Sequence, residues 1–136
     1  MPGYSGTPLI KKLGFTKPPL RVWLVGAPDD YAAWIGPLPD GLEFTARADK
    51  QVAAAHLFCT TRRDLESRLV KLRELLEPAG FVWVSWPKKA SKVTTDITED
   101  TIREVALPLG FVDIKVCAVS DVWSGLKLVI RVSERT

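Results

Sequence analysis

Apolar runs of strand length alternate with helix-like patterns through most of this 136-residue chain. The clearest alternation starts with an apolar run at residues 53–59, continues with leucines at helical spacing across residues 65–76, and returns to an apolar run at residues 81–86. Nearly continuous apolar runs suit strands that are covered on both faces. Strands that alternate with helices therefore predict an α/β fold, a three-layer arrangement with an open, mostly parallel sheet in the middle.

The end of the chain predicts a hairpin. Residues 111–119 and 126–132 have the pattern of strands, and the connection between them is only SDVWSG. So short a connection makes two strands antiparallel neighbours. A chain of this length with 46% apolar residues forms one ordinary domain. Residues 1–136 are therefore predicted to form a single domain whose sheet is parallel apart from its last strand.

Capping signals place the helices. Thr7 is expected to cap a short helix that stops at Gly14, within an N-terminal arm of residues 1–15. Thr61 is expected to cap the leucine helix and Thr98 a second amphipathic helix, because each precedes an apolar stripe at helical spacing.

Composition argues against several functional classes. The 19 basic and 16 acidic residues give a net charge of +3, which allows an acidic partner but is far below that of a dedicated nucleic-acid binder. No run approaches the roughly 20 apolar residues that cross a bilayer, and no signal peptide is recognisable, so a cytoplasmic protein without membrane attachment is expected. One histidine and two distant cysteines, Cys59 and Cys117, are too few soft ligands for a zinc site.

The second apolar run ends in Trp86 and Pro87, followed directly by a pair of lysines. Pro87 has no N–H to continue the sheet ladder, so the strand is expected to end there. In an open parallel sheet, ligands bind outside the carboxyl ends of the strands. Lys88, Lys89 and Lys92 are therefore expected to lie at the edge where a ligand would bind.

These lysines are expected to act together with the helix that begins after Thr61, whose free amides also attract anions, and with Arg62 and Arg63. The expected ligand is a phosphate or carboxylate group that is held loosely, because a lysine is a flexible point charge. A solvated loop without a function is the alternative, since lysine-rich surface loops are common. The predicted ligand-binding residues are Trp86, Lys88, Lys89, Lys92 and Thr61.

Other reactive side chains are explained with less effort by structural roles. His56 lies within an apolar run, where a hydrogen-bonded core histidine is expected rather than a general base. Cys59 precedes a helix N-terminus, which lowers a thiol pKa, but a buried inert thiol is favoured because no histidine or acid is evidently placed beside it. Asp29 and Asp30 suit a turn and a helix cap. No catalytic residue and no metal ligand is therefore predicted.

The five tryptophans divide into two groups. Trp23, Trp34 and Trp83 are expected to pack in the core or at interfaces between elements. Trp86 and Trp123 border loops, where an exposed indole would offer a stacking surface to a ligand.

Two resemblances to known families add to this pattern. Class I S-adenosylmethionine-dependent methyltransferases are similar in the stretches LRELLEPAGFVWVSW and GFVDIKV…LKLVIRV, which cover the C-terminal half of the chain. A family of small bacterial proteins catalogued as a domain of unknown function is similar along the whole chain, including GYSGTPLIKKLG, WVSWPKKAS, ALPLGFVDIKVCAV and WSGLKL. With right-handed crossovers, the resemblance implies a Rossmann-like sheet in the strand order second, first, third, fourth, sixth, fifth.

The chain departs from the methyltransferase pattern where the cofactor binds. A glycine-rich turn follows the first strand of those enzymes, whereas VGAPDDY has one glycine and Pro28 removes a backbone donor. Their second strand ends in an acidic residue, whereas Ala46 and Arg47 occupy that place here and Asp49 lies just beyond. One strand and one helix are also missing before the third strand. The resemblance therefore implies the fold without its usual cofactor pocket, and no cofactor is predicted.

Three hypotheses for the function stay open at this point. The preferred one is a non-catalytic, methyltransferase-like protein that binds an anionic small molecule or an acidic protein at the lysines, with nucleic acid as a weaker alternative. The second is a methyltransferase that uses VGAPDD for the cofactor, so the sequence leaves open whether the chain is an enzyme. The third is a protein interaction module that uses the Trp123 loop and the N-terminal arm. Fold analogy alone does not choose among them.

Overall fold

The computed structural model describes residues 8–48 and 51–135. The strands in this part of the chain are β1 (Leu20–Val25), β2 (Leu42–Thr45), β3 (Val52–Phe58), β4 (Leu76–Pro87), β5 (Phe111–Ala118) and β6 (Trp123–Ile130). The α-helices are α1 (Leu9–Lys12), α2 (Tyr31–Ile35), α3 (Arg62–Leu75) and α4 (Glu99–Ala106). Short 3₁₀ turns lie at Lys89–Ser91, Leu107–Leu109 and Val132–Glu134.

These six strands form one sheet in the order β2-β1-β3-β4-β6-β5. β1 is parallel to β2 and β3, and β3 is parallel to β4. β6 lies antiparallel between β4 and β5. The predicted fold class, a mostly parallel open sheet with a C-terminal antiparallel hairpin, is therefore confirmed, and so is the predicted strand order.

Two apolar cores cover the two faces of the sheet. On one face, α3 and α4 pack against the strands through buried residues such as Leu69 and Ile102. On the other face, α1 and α2 pack through residues such as Leu9 and Ile35. Each large side chain that is fully buried in this way contributes about 1.5–3 kcal/mol relative to leaving it exposed. The two helix layers hold the sheet between them and complete the three-layer arrangement.

Side-chain caps fix the start of both longer helices. The Thr61 hydroxyl accepts a hydrogen bond from the backbone N–H of Asp64 at 3.2 Å. At the start of α4, the Thr98 hydroxyl accepts from the N–H of Thr101 at 3.2 Å, and the Thr101 hydroxyl accepts from the N–H of Thr98 at 3.1 Å. A cap of this kind stabilises a helix by about 0.5–2 kcal/mol. Both helices therefore begin where the sequence predicted.

The N-terminal helix begins slightly later than expected. α1 starts at Leu9 with Pro8 at the N-cap position, whereas Thr7, the predicted cap, lies outside the described residues. Gly14 follows the helix with a φ of +77°, as expected for a glycine stop. None of the helices in residues 8–48 and 51–135 has the length and apolar character needed to span a bilayer.

Two strands begin earlier than predicted. Leu76, expected on the leucine helix, adopts an extended conformation and pairs with Val52 at the start of β4. Pro78 explains the early end of the helix, because the residue before a proline disfavours helical geometry. β6 begins at Trp123, which pairs with Pro87, although WSG was expected to belong to the turn. The connection between β5 and β6 is therefore only residues 119–122.

Candidate functional site

β4 ends at the carboxyl edge of the sheet, where the sequence predicted a ligand site. Pro87 is its last residue and pairs with Trp123. The backbone N–H of Lys88 donates to the carbonyl of Val122 at 2.7 Å, which fixes the chain one residue beyond the strand. In the 3₁₀ turn that follows, the Ser91 hydroxyl donates to the carbonyl of Lys88 at 2.6 Å. The lysine segment is therefore anchored through its backbone.

The chain then returns across the start of α3. The Thr95 hydroxyl donates to the carbonyl of Thr60 at 2.7 Å, and the N–H of Asp96 donates to the same carbonyl at 3.2 Å. The carboxylate of Asp96 accepts from the N–H of Arg62 at 2.6 Å. The connection from β4 to α4 thus packs against the connection from β3 to α3.

A groove of about 400 Å³ opens between this returning segment, the end of β4 and the start of α4. Trp86 and Ile97 give it buried apolar surface, since both belong to the core beneath α4 and Trp86 is only 8% exposed. Val93 adds apolar surface that is 42% exposed. A groove of this size suits a small organic ligand. The lining residues are Trp86, Pro87, Lys89, Val93, Thr95, Ile97, Thr98 and Glu99.

The groove is lined by one basic and one acidic side chain, Lys89 and Glu99. Glu99 is paired with Arg103, which also contacts Asp113 at 3.0 Å and Asp100 at 3.1 Å. The hydrogen bonds that Arg103 donates to the carboxylates of Glu99 and Asp113 raise the pKa of Arg103 above its ordinary value, so Arg103 stays charged beside Glu99. Within the described residues, Lys89 is exposed and has no carboxylate partner. Lys89 is therefore the available cation of the groove.

Only part of the predicted site comes together. Trp86 and Lys89 line the groove, but the small exposure of Trp86 means that its indole is not the open stacking surface considered from the sequence. Lys88 is half-buried and Lys92 is exposed, and neither lines the groove. Lys92 has a φ of +62° at the end of the 3₁₀ turn, where the chain changes direction. Thr61 also lies outside the groove and serves as a helix cap.

The start of α3 differs from its predicted role as an anion site. The N–H of Arg62 is already bonded to the carboxylate of Asp96, 34 positions away in the sequence, and the Thr61 hydroxyl accepts another amide of the first turn. The guanidinium of Arg62 is paired with Glu66 at 3.0 Å and Glu104 at 2.7 Å. The amide and the guanidinium of Arg62 are therefore already paired with acidic groups of the chain, whereas the binding of an external anion at this helix start stays a prediction.

Sequence reasoning missed the far wall of the groove. Val93, Thr95 and Ile97 come from the returning segment, and Glu99 comes from the first turn of α4. Neither Glu99 nor Ile97 is among the ligand-binding residues predicted from the sequence. The available signal was the short connection at residues 88–98, which keeps the start of α4 beside the end of β4.

The carboxyl ends of β1 and β3 have a different character. Gly26 has a φ of +72°, and a Cβ at this position would lie 2.7 Å from the carbonyl oxygen of Phe58. The turn after β1 therefore lies directly against the end of β3. The Phe58 ring packs edge-to-face with Tyr31 and Trp123, with centroids 5.5 and 5.0 Å apart. These contacts fill the space between the ends of β1 and β3, while a mostly apolar cavity of about 300 Å³ remains between the turn after β1 and α2, lined in part by Ala27, Pro28 and Asp29.

His56 lies beside these rings and is fully buried. Its Nδ1 is 2.8 Å from the hydroxyl of Tyr31, and its Nε2 is 2.7 Å from the hydroxyl of Ser85. Burial lowers the pKa of His56 to about 3, so the ring is neutral, with one nitrogen as donor and the other as acceptor. The expectation of a hydrogen-bonded core histidine is confirmed.

Cys59 has a structural explanation, whereas Asp29 and Asp30 form the predicted turn without the predicted side-chain cap. Cys59 is buried, and burial followed by the charge of Asp64 raises its thiol pKa to about 12, so the start of α3 does not activate it. The expectation of a buried thiol is confirmed. Asp30 occupies the N-cap position of α2 but makes no side-chain cap, and Asp29 is exposed. Within the described residues, no group of three or more His, Cys, Asp or Glu side chains is placed to hold a metal ion.

The remaining tryptophans are packed to different degrees. Trp23 and Trp83 are buried, and each indole N–H donates to a backbone carbonyl, at 3.2 and 2.7 Å. Trp34 is half-buried and packs edge-to-face with Tyr31. Trp123 is also half-buried. Its contact with Phe58 leaves only part of the indole for a ligand or partner.

Residues 47–132 match the family described as "Protein of unknown function (DUF3052)". The chain belongs to this family. A search of curated proteins gave no significant match in sequence. The matched residues include the whole groove, the ion pairs of Arg103 and the strands β3 to β6.

Several solved structures share the fold of this family member. A putative type 11 methyltransferase from Sulfolobus solfataricus has a TM-score of 0.65 and 13% identity, covering 94% of this chain and 92% of that protein. A SAM-dependent methyltransferase from Aquifex aeolicus has a TM-score of 0.63 and 12% identity, covering 90% and 87%. Fibrillarin from Aeropyrum pernix, solved with natively bound S-adenosyl-L-methionine, has a TM-score of 0.58 and 14% identity, covering 93% and 70%. At these identities the likeness shows a methyltransferase-like fold alone.

The described residues do not fit S-adenosylmethionine as the methyltransferase pattern would place it. The single glycine of the β1 turn, Gly26, is used for a close contact with Phe58 inside the protein. Beyond β2, Ala46 and Arg47 carry no carboxylate to hold ribose hydroxyls, and Asp49 lies outside the described residues. The fold is therefore shared, while the described end of β1 lacks the close-approach turn that a cofactor there would need.

Proposed function

We propose that this protein is a non-catalytic binding protein that holds a small organic anion in the groove beside Lys89. The observation that carries the proposal is an exposed ammonium group without a carboxylate partner in the described residues, next to the apolar surface of Trp86 and Ile97. A carboxylate or phosphate group would pair with Lys89, and an apolar body would cover Trp86 and Val93. The preferred ligand is thus a monoanion with a compact apolar part.

The lining supports binding rather than catalysis. Thr95 and Thr98 are engaged with backbone groups, Thr95 as a donor and Thr98 as a helix cap. Glu99 is held by Arg103 and is not free to act as a base. A catalytic nucleophile needs a base or a lowered pKa to activate it, and the described lining residues offer neither. The ligand would therefore leave the groove chemically unchanged.

The charges around the groove also limit the kind of anion. Glu99 lines it, and Asp100, whose side chain is 84% exposed, follows on the same helix start. These carboxylates would repel a long polyanion that extended past Lys89. A small anion is therefore favoured over nucleic acid, and over an acidic protein surface that would have to approach the same carboxylates.

Calorimetry on matched variants tests the proposal. Wild type, Lys89→Gln and Lys17→Gln are titrated with small apolar carboxylates and phosphorylated metabolites, and with short nucleic acids and acidic peptides for comparison. Lys17 is exposed and precedes β1. The substitution Lys17→Gln therefore removes the same charge at the amino ends of the parallel strands, away from the carboxyl edge where the groove lies. We expect wild type and Lys17→Gln to bind one class of small anion, with affinity that falls as salt rises, and Lys89→Gln to bind it about tenfold more weakly.

The result must separate the groove from general charge. The melting temperature of Lys89→Gln should stay nearly unchanged, because exposed surface substitutions alter stability by at most about 0.5 kcal/mol. Equal binding by Lys89→Gln and Lys17→Gln, or no binding by wild type to any ligand of the panel, would contradict the proposal.

The second candidate is a methyltransferase with an atypical site, which the shared fold favours. The same calorimetric comparison includes S-adenosylmethionine. Saturable micromolar binding that is unchanged in Lys89→Gln would support this candidate and place the ligand away from the groove. We expect no such binding, because the only glycine of this turn, Gly26, is packed against Phe58, although Pro28 and Asp29 line a cavity of about 300 Å³ beside α2 that the titration would probe.

A further inference from the structure

A second group of lysines lies on the face of the sheet opposite the face that α4 covers. Lys115 of β5 and Lys127 of β6 are direct partners across the two strands, so their side chains are on the same face. The ammonium group of Lys127 lies 4.5 Å from the ring centre of Phe81, which packs with the core beneath α1 and α2. Val112 and Val129 are paired on the same face, two positions away along β6. This face is therefore the one that α4 does not cover.

The two paired lysines repel each other. Like charges directly opposite on adjacent strands destabilise the pair, and neither Lys115 nor Lys127 has a carboxylate partner in the part of the chain that the structure describes. Partial burial, and then the charge of Lys115, lower the pKa of Lys127 below its ordinary value. The folded chain thus keeps an unfavourable charge pair that a bound anion would relieve.

A third lysine reaches the same place from α1. The ammonium group of Lys12 donates to the carbonyl of Ala118 at 3.2 Å, at the end of β5. Burial raises the pKa of the Cys117 thiol, which lies next to Ala118, and the charges of Lys12 and Lys115 both act in the opposite direction. Lys12 and Lys115 therefore both lie near the end of β5 at Cys117 and Ala118.

Lys127 is positioned by contacts that leave its charge unneutralised. Its ammonium group lies over the face of Phe81, an arrangement in which the ring attracts the cation. It also lies 3.7 Å from where a Cβ would stand on Gly14, so the turn after α1 borders it. A cation that is held in place and partly desolvated loses less freedom when it binds an anion.

We propose that Lys115 and Lys127, with Lys12 at the end of the same hairpin, form a second anion site, which binds a small molecule that carries a phosphate or diphosphate group. The two paired ammonium groups of Lys115 and Lys127 match a phosphate dianion better than a single carboxylate, and lysine binds phosphate as a point charge. The half-buried pair of Val112 and Val129 offers apolar surface to the rest of the ligand. This site is separate from the groove beside Lys89 and does not depend on it.

Inorganic pyrophosphate is the probe for this site. Backbone amide shifts of the full-length protein are followed by NMR during the titration, for wild type and for the variants Lys115→Gln and Lys127→Gln. Lys17→Gln, an exposed lysine before β1, is the charge-matched control. We expect saturable shifts near Lys12 and along β5 and β6, about tenfold weaker binding in the first two variants, and unchanged binding in the control.

Three results would overturn the site. Shifts that do not saturate, shifts confined to residues 88–98, or an equal loss of affinity in Lys17→Gln would each mean that pyrophosphate responds to general charge or to the groove. A membrane source of phosphate is tested by flotation with phosphatidylcholine vesicles that contain phosphatidylglycerol. Binding to vesicles without saturable binding of pyrophosphate would contradict the proposal that the ligand is a small soluble molecule. If Lys127→Gln fails to fold, the wild-type shifts and Lys115→Gln decide.

Discussion

The carboxyl edge of the sheet has a closed half and an open half. In the closed half, between β1 and β3, Gly26 lies against the carbonyl of Phe58 and the rings of Phe58 and Trp123 pack together, so that space remains only towards α2. Beside β4, the chain passes through an ordered turn and leaves a groove of about 400 Å³ with Lys89 at its side. Both halves lie where ligands bind in open parallel sheets. The difference shows that the side chains at each strand end, rather than the fold, decide where this protein can bind a ligand.

The closed half should resist change the most, and His56→Ala has the largest expected effect. The substitution removes a fully buried ring and leaves the hydroxyls of Tyr31 and Ser85 without their partner. An unsatisfied buried polar group costs about 1–3 kcal/mol, and the cavity adds to it, so we expect the free energy of unfolding in urea to fall by about 3–5 kcal/mol.

His56→Gln is the matched control, because its amide keeps one donor and one acceptor and should lose less stability. A soluble His56→Ala protein with unchanged stability, but without ligand binding in the groove, would break the comparison. It would make the closed half part of the functional site.

Gly26→Ala tests how tightly the closed half is packed. Gly26 and Gly14 both have positive φ, +72° and +77°, which costs a residue with a Cβ about 1–2 kcal/mol. A Cβ on Gly14 meets only the flexible end of Lys127 at 3.7 Å, whereas a Cβ on Gly26 meets the backbone of Phe58 at 2.7 Å. Gly26→Ala should therefore lose about 3 kcal/mol or more, and Gly14→Ala only the strain. Equal losses in urea unfolding would mean that the end of β1 is open enough for a ligand.

The order of the strands was predictable because the resemblance to the methyltransferases implied it, in agreement with two rules on how strands are connected. The short connection after β5 fixes the hairpin, and right-handed crossovers place the parallel strands. The start of β4 was not predictable in the same way, because Leu76 has the spacing of the preceding helix and only its pairing with Val52 shows that it is extended. Spacing cannot distinguish the last apolar residue of a helix from the first of a strand.

The candidate site was predictable only in its location. Pro87 marks the end of β4, and Lys89 does lie at the groove. The role of α3 was not predictable, because the residue that occupies its first amide, Asp96, belongs to another segment of the chain. The burial of Trp86 likewise depends on Ile97 and the returning segment. Contacts between distant segments decided each of these outcomes, and a single sequence does not show them.

The smallest expected effects separate the lysine of the open half from those of the hairpin. Within the described residues, Lys89 is the only lysine that lines the groove, so Lys89→Gln relieves no repulsion between lysines there. It should change the free energy of unfolding by at most about 0.5 kcal/mol. Lys115→Gln should increase it by about 0.2–1 kcal/mol, because the substitution ends the repulsion across β5 and β6. The gain should shrink at high salt, since the screening length falls to about 3 Å at 1 M. Urea unfolding at low and high salt measures both values. A loss of stability in Lys115→Gln would mean that the charge of Lys115 makes favourable interactions in the folded protein without any ligand. The repulsion between Lys115 and Lys127 would then no longer support an anion site.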